Sequence, residues 1–485
     1  MSIRHFKIEL TAEGPIHIGN GKDLKKKDYF SNGKSISILD VPRFVGRLDA
    51  EQLRGYCEFL ETDSRTGLDD FFKKFPNLRS VADECVAYTV NNSFARARRG
   101  SYQFLPVKEF IKDAYGCPYV PGSSVKGVLR TAILASIVQD DAVRYEKLYD
   151  GELARGYDRK NADKKIVRRA FWKAELDKNG DNAVSDIMRY VSVSDSEPLS
   201  TGDLVFVKKY DKFSKADDGS HKKDMGKISN ASYYEGNELN IYRECLKPGT
   251  RICLNIDVDS KIDDYLDGWQ MNAAGIRKVL EDFYALYKEC FLDHFELGDS
   301  SEGEAGGGSA ALGDGKCQYI AQTGPLAGRR CPNNAVNGTG YCNKHQDKAF
   351  AANAQDDASE APQCWCLIGG GVDFASKTIL NALFDDDAYR LRETSHVLYN
   401  QFTTKIDRDF DKGRHDGLWH EVEEAGFEPR YMKSDYGNGR LKKAKEDHRH
   451  WRDREFGVSP HTVKLGILNG KKYPMGKCAF KIREV

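Results

Sequence analysis

Two groups of side chains in this 485-residue chain have the types and spacing that do chemistry. The first lies in Pro121-Gly122-Ser123-Ser124-Val125-Lys126-Gly127-Val128-Leu129-Arg130. Pro-Gly is turn chemistry. Ser123 or Ser124 can act as helix N-cap by accepting a bond from a free backbone N–H. Lys126 and Arg130 stand four apart and project from one side of the helix that follows. A helix start with two hydroxyls and two cations nearby is a receptor for phosphate. A capped surface helix with two solvated cations reads the same way locally, so the two readings stand level there. The second group is Cys317, Cys331, Cys342 and His345, in the order C-x13-C-x10-C-x2-H. Three thiolates and an imidazole fill a tetrahedral shell and suit structural zinc. Four protein ligands leave no open position, which argues against a catalytic metal.

Other polar positions cluster around glycine. Gly14-Pro15-Ile16-His17-Ile18-Gly19-Asn20-Gly21 precedes Lys25, Lys26 and Lys27, which puts flexible backbone beside positive charge. His17 could serve as a general acid–base group, contact RNA, or simply be structural. Asp23 and Asp28 flank the basic run, either as reactive groups or as its counter-ions. Gly369, Gly370 and Gly371 precede Ser376 and Lys377. Such a triplet lets a phosphate backbone approach, because no Cβ intervenes, or it is a strand-to-helix turn without a ligand. Arg96, Arg98 and Arg99 follow Phe94, a combination suited to phosphates and base stacking. Lys164, Lys165, Arg168 and Arg169 form a basic helix face that reads best as solvated. The stretch from Arg440 to Arg454 mixes basic residues with Asp447, Asp453, His448 and His450, and its role stays open.

These segments together resemble the RAMP superfamily of CRISPR RNA-binding proteins. The specific part is the early GPIHIGNG paired with the later PYVPGSSVKGVLR. Ile368-Gly369-Gly370-Gly371 agrees, as does the closing Ser459-Pro460-His461-Thr462-Val463-Lys464-Leu465 with Pro474-Met475-Gly476. Within the superfamily the likeness is to the fifth Csm subunit of the type III-A effector. It covers most of the chain outside residues 300–360. The resemblance implies an α+β fold of ferredoxin-like (RRM-like) domains with antiparallel sheets. It implies a non-catalytic cytoplasmic subunit that binds the 3′ portion of crRNA and caps the backbone filament in antiviral defence. The implied partners are crRNA, target RNA and other Csm-complex subunits, above all the repeating backbone subunit. Expected RNA contacts are His17, Gly19, Lys25, Lys26, Lys27, Arg96, Arg98, Arg99, Ser123, Ser124, Lys126, Arg130, Gly369, Gly370, Gly371 and Lys377. Two alternatives are a RAMP endoribonuclease using His17 or a loop aspartate, and an adaptor whose zinc module recruits a guide-trimming host nuclease.

The elements that must position these groups follow from pattern. Phe6, Ile8 and Leu10 alternate with polar residues as a half-buried strand does. Ser35–Leu39 reads as a second strand, and residues 50–90 as mostly helical. Val125, Val128, Leu129, Ala132, Ile133 and Ile137 give residues 123–139 one apolar helical face. This order fits a four-stranded antiparallel sheet backed by two helices, within residues 1–190. Residues 191–299 read as a second sheet and helix region. In it, Lys208–Asn230 reads as a mobile polar loop, the thumb of the resemblance. Polar, glycine-rich tethers around residues 300–309 and 351–362 enclose an inserted zinc-binding module within residues 300–362. Residues 363–485 complete the fold. Cys364 and Cys366 either join a metal site or pack on a strand, with packing preferred. Cys57, Cys85, Cys117, Cys245, Cys253 and Cys290 read as buried free thiols.

Composition sets the outer limits. Lys plus Arg and Asp plus Glu are both 74, for a formal charge of zero. A polycationic binder is thereby excluded, but a local basic groove is not. No stretch approaches the roughly 20 apolar residues of a membrane span, and the start lacks the apolar core of a signal peptide.

Overall fold

The computed structural model describes residues 2–31, 35–62, 66–91, 106–156, 158–173, 185–216, 235–266, 268–297, 364–403, 405–406, 416–433, 441–445 and 448–485. The strands are β1 (Ile3–Ala12), β2 (Gly19–Leu24), β3 (Tyr29–Ser31), β4 (Ser35–Leu39), β5 (Val86–Asn91), β6 (Val107–Phe110), β7 (Val191–Val193), β8 (Leu204–Phe213), β9 (Gly236–Leu246), β10 (Arg251–Asp259), β11 (Cys364–Leu367), β12 (Lys405–Ile406), β13 (Arg430–Lys433), β14 (Leu441–Lys445), β15 (Thr462–Leu468), β16 (Lys471–Pro474) and β17 (Lys477–Glu484). The helices are α1 (Val41–Val45), α2 (Ala50–Leu60), α3 (Leu68–Lys74), α4 (Asn77–Glu84), α5 (Gly122–Asp140), α6 (Ala142–Ala154), α7 (Arg159–Phe171), α8 (Ala273–Cys290), α9 (Leu380–Leu383), α10 (Asp387–Phe402), α11 (Asp416–Glu424) and α12 (Asp453–Phe456).

Alternation in β1 buries Phe6, Ile8 and Leu10 on one face. That face lies at the centre of a five-stranded antiparallel sheet ordered β11-β17-β1-β10-β7. Ile252, Leu254, Ile256 and Val258 of β10 and Phe480 and Ile482 of β17 extend the same apolar layer. Helices α5 and α8 supply Val125, Leu129, Ile133, Ile276, Leu280 and Phe283 to this core. Each such side chain contributes about 1.5–3 kcal/mol when withdrawn from water.

A second, larger sheet runs β2-β6-β9-β8-β5-β4-β3, with β15 on the far half of β8 and β16 on β15. Most of its pairs are antiparallel; β5–β8 and β6–β9 are parallel. Helices α1 to α4 cover one end through an aromatic cluster of Phe30, Phe44, Tyr56, Phe59, Phe71 and Phe72. A small sheet, β12-β14-β13, stands apart from these two.

Several expectations are corrected here. The first sheet has five strands rather than four, and it gathers them from residues 3–12, 191–193, 251–259, 364–367 and 477–484. Residues 1–296 and 364–485 thus form one compact unit in which the expected regions interleave. Lys208, Lys209 and Lys212 belong to β8, not to a loop, because Phe206, Tyr210 and Phe213 keep the strand anchored in the interior. Cys57 is exposed, and Cys117, Cys253 and Cys290 are only half-buried. Cys364 and Cys366 are buried on β11, where Cys366 stands opposite Cys478 on β17, a thiol the pattern left unassigned. Arg96, Arg98 and Arg99, the zinc set Cys317, Cys331, Cys342 and His345, and residues 217–230 of the expected thumb lie outside the described residues.

Candidate nucleic-acid interface

Three backbone turns meet where β1 leaves the first sheet. Ile16 exchanges two backbone bonds with Leu246 of β9. The His17 carbonyl accepts the Gly370 N–H at 2.6 Å, and the Pro15 carbonyl accepts the Gly476 N–H at 2.8 Å. Gly369 has φ +90°, and a methyl there would stand 2.3 Å from the His17 oxygen. Glycine is required at that position by the protein's own backbone. The Gly369–Gly371 turn therefore docks on the His17 turn, as a single knot of chain. Lys377 caps the knot by donating to the Gly369 carbonyl at 2.9 Å.

His17 is part of the knot rather than of the surface. It is 5% exposed, and its Nδ1 lies 2.7 Å from the Glu244 carbonyl. Burial pushes the imidazole down to about 4, against the smaller opposing effect of that bond. A neutral, enclosed ring offers an RNA strand no cation and a reaction no ready acid. The expected RNA contact at His17 is replaced by a structural one.

Beneath the knot sits Glu244, with a fully buried carboxylate. It accepts bonds from the Tyr88 hydroxyl at 2.7 Å, the Phe110 N–H at 3.0 Å and Lys112 Nζ at 2.6 Å. Burial and this carboxylate push the Tyr88 phenol far up. These bonds lock β5, β6 and β9 together and fix the strand that carries Arg243.

Arg243 opens the charged part of the site. Its guanidinium lies beside Gly371, where a methyl would stand 3.3 Å from both Cζ and Nε. The side chain is half-buried, and burial lowers its proton affinity. Lys209 on β8 and Lys464 on β15 flank the same surface. Their ammonium groups reach the two oxygens of one carboxylate, Asp211, at 3.2 and 3.3 Å. Asp211 is 6% exposed. Burial first, then Lys464, depresses the Lys209 ammonium. Asp373 carries less than a full negative charge near neutrality, because burial pushes its carboxyl up to about 7. It accepts the Lys464 N–H at 2.7 Å and the Tyr287 hydroxyl at 3.2 Å. Three basic side chains thus gather around Asp211 in a partly dry setting, which favours an added anion.

The helix start of the serine motif is arranged differently from expectation. Pro121, not a serine, occupies the N-cap of α5, and no side chain caps it there. Asp195 accepts the Gly122 N–H at 2.8 Å, so a carboxylate already stands at the positive end of this helix. A methyl at Gly122 would meet the Val193 and Ser194 carbonyls at 2.2 and 2.4 Å, so the helix starts hard against the end of β7. Lys126 donates to the Val191 carbonyl at 2.7 Å. Arg130 pairs with Asp186 at 2.7 Å and lies over the Phe171 ring. Both cations hold α5 to its neighbours; Ser123 is the exposed serine of the motif.

The lysine run also divides. Lys27 donates to the Leu60 and Thr62 carbonyls, ending α2. The Lys26 carbonyl accepts from Leu68, at the start of α3. Lys25 is exposed, and Gly19 packs against the His17 ring. Asp23 is exposed on β2 and 3.7 Å from Lys108. His17 and Gly19 thus meet the 369–371 turn, whereas Lys26 and Lys27 serve α2 and α3. Helix α5 reaches the neighbourhood through Val128, which shares a small apolar cleft with Leu367 and Ser376.

A family model described as the RAMP superfamily matches residues 9–305, more than half of the chain. The chain belongs to the RAMP superfamily. This RAMP protein is 25% identical over 300 residues to a Streptococcus thermophilus protein named CRISPR system Cms protein Csm5, covering 60% of this chain and 73% of that one. It is 26% identical over 278 residues to a protein of the same name from Mycobacterium tuberculosis, covering 53% and 67%. Its fold matches a chain in the cryo-EM structure of a Csm–crRNA–target RNA ternary complex of a type III-A CRISPR–Cas system, at TM-score 0.52 and 16% identity over 98% of this chain and 100% of that one. In sequence it is similar to proteins named Csm5, and it shares the fold of a chain from that complex. Among the described residues of this RAMP protein no helix is long and apolar enough to cross a membrane.

Sequence reasoning missed Arg243, Lys209 and Lys464 in this RAMP protein. One signal was available for Lys209: Phe206, Tyr210 and Phe213 recur within the lysine-rich stretch and extend the strand through it. Nothing local marks Arg243, whose neighbourhood is assembled from β8, β15 and the 369–371 turn.

Proposed function

We propose that this chain is a non-catalytic RNA-binding subunit of a type III-A Csm complex. It binds the 3′ portion of crRNA and caps the backbone filament, in antiviral defence. Its partners are crRNA, target RNA and the other Csm subunits, the repeating backbone subunit first among them. Superfamily membership and the likeness to Csm5 proteins support this reading. The observation that carries it is the half-buried group of Arg243, Lys209 and Lys464 around one carboxylate, beside the glycine turn at 371. Such a group neutralises phosphate while the chain's overall charge stays at zero. Lys25, Ser123 and Lys377 extend the contact surface as exposed polar groups. Cys317, Cys331, Cys342 and His345 hold a structural zinc ion in the inserted module.

Co-expression with the remaining Csm subunits and a guide tests the proposal. The complex is expected to retain this chain and a guide with a full 3′ portion, read by RNA sequencing. Its loss from complexes that keep their guide would overturn it. Among the described residues, the groups the endoribonuclease reading named are not paired: His17 is buried and neutral, and Asp23 is exposed and beside Lys108. Pure protein incubated with guide precursor and target RNA, with and without magnesium, should leave both intact. Cleavage lost in Asp23→Ala would instead establish an enzyme.

A further inference from the structure

The stretch whose role the sequence left open holds a second cluster of donor atoms, distant in sequence from the cysteine module. His450, Asp453 and His461 are 3%, 0% and 7% exposed. His450 and Asp453 are three apart on one turn, and His461 returns beside them immediately before β15. The Nδ1 atoms of the two imidazoles face opposite oxygens of the Asp453 carboxylate, at 2.9 and 2.5 Å. The Ser459 hydroxyl donates to Asp453 Oδ2 at 2.6 Å. One donor atom from each of His450, Asp453 and His461 falls within 4.8 Å of the other two.

The partners of Asp453 in this cluster are two imidazoles and one hydroxyl. No lysine or arginine among the described residues pairs with Asp453, although it is fully buried. A buried carboxylate beside two imidazoles is a donor set of nitrogen and oxygen, suited to a zinc-class divalent ion. Donor atoms around such an ion stand roughly 3.3 Å apart at metal–ligand lengths of about 2.0–2.2 Å. The Nδ1–carboxylate separations of 2.9 and 2.5 Å are shorter than this and open when an ion enters.

We propose that His450, Asp453 and His461 bind one zinc-class divalent ion, through the two Nδ1 atoms and a carboxylate oxygen. A water or the Ser459 hydroxyl completes the shell. The ion pins the segment 448–461 to the start of β15, the strand that presents Lys464 to the cation group. It is a site separate from the cysteine module, with no thiolate in its shell.

The test uses the full chain carrying Cys317→Ser, Cys331→Ser and Cys342→Ser, which removes the thiolates of the module. After dialysis against zinc and then buffer, elemental analysis should find about one equivalent of metal per chain. Cobalt loaded in its place should give visible d–d bands without thiolate charge-transfer bands in the near ultraviolet. Adding His461→Gln or His450→Ala should abolish both signals, with circular dichroism reporting whether the variants are folded. Metal below about 0.2 equivalent in the three-serine chain overturns the proposal, a result that needs no change at the histidines. Metal retained by folded His461→Gln, or thiolate bands from cobalt, overturns it equally.

Discussion

Replacing Glu244 by alanine asks whether the interface is held from beneath by one buried carboxylate. The wild-type group accepts from Tyr88 at 2.7 Å, from the Phe110 N–H at 3.0 Å and from Lys112 at 2.6 Å, with no exposure of its own. Alanine leaves the Lys112 ammonium, 9% exposed, without that partner. Breaking a buried pair from one side costs about 3–5 kcal/mol. Lys112 keeps weaker bonds to Glu109 and the Phe110 carbonyl, at 3.4 and 3.3 Å, which offset part of this. The orphaned Phe110 N–H adds about 1–3 kcal/mol. The expected net loss is about 4 kcal/mol, or roughly a thousandfold in the folding constant. Urea denaturation followed by circular dichroism measures it. Glu244→Leu combined with Lys112→Met removes both charges and should recover at least half of the loss. A single variant within about 1 kcal/mol of wild type would refute the reasoning, as would a double variant no better than the single.

Asp373 predicts a pH dependence. Its folded-state value is raised to about 7 by burial, so the folded chain binds this proton more tightly than the unfolded one. The contribution is fully present below the ordinary carboxylate range near pH 4 and is lost as pH rises through about 7. Asp373→Asn should therefore gain stability relative to wild type between pH 5 and pH 8 in urea melts; a difference that stays flat with pH would speak against it. Gly369→Ala places a methyl 2.3 Å from the His17 oxygen at φ +90°, whereas Gly21→Ala at φ +84° meets open space. Thermal melts should show the Gly21 variant losing about 1 kcal/mol and the Gly369 variant at least twice that; equal losses would discredit the turn-on-turn contact. Cys342→Ser should lower bound zinc by about one equivalent per chain, and unchanged zinc in elemental analysis would exclude the four-ligand module.

Much of the scaffold was legible because it is local. Alternation in Phe6, Ile8 and Leu10 marks β1, and the apolar stripe from Val125 to Ile137 marks α5, since each is set by neighbours within a few residues. Cys364 and Cys366 read as packed strand residues and are so placed. The glycine triplet was legible as a turn, but its occupant was not. Gly369 abuts the His17 carbonyl, a contact between residues about 350 positions apart that no window contains. The same holds for Lys126 and Arg130. Their spacing shows a shared face, while the Val191 carbonyl and Asp186 that engage them arrive from another part of the chain. The serine caps failed because Asp195 competes for the helix start. Lys209 was hidden by composition: a charge run reads as solvated unless its three aromatics are weighted by position.

The salt dependence of guide-RNA binding tests the central claim most directly. Arg243→Gln removes a cation for which no hydrogen-bond partner exists among the described residues, and Arg243→Gln with Lys209→Gln leaves Lys464 to pair with Asp211. In filter binding from low to moderate salt, the slope of log affinity against log salt should shrink by about 0.7 for the single variant and about 1.4 for the double. Folded variants whose slope and affinity both match wild type would contradict the assignment of this cation group to the RNA.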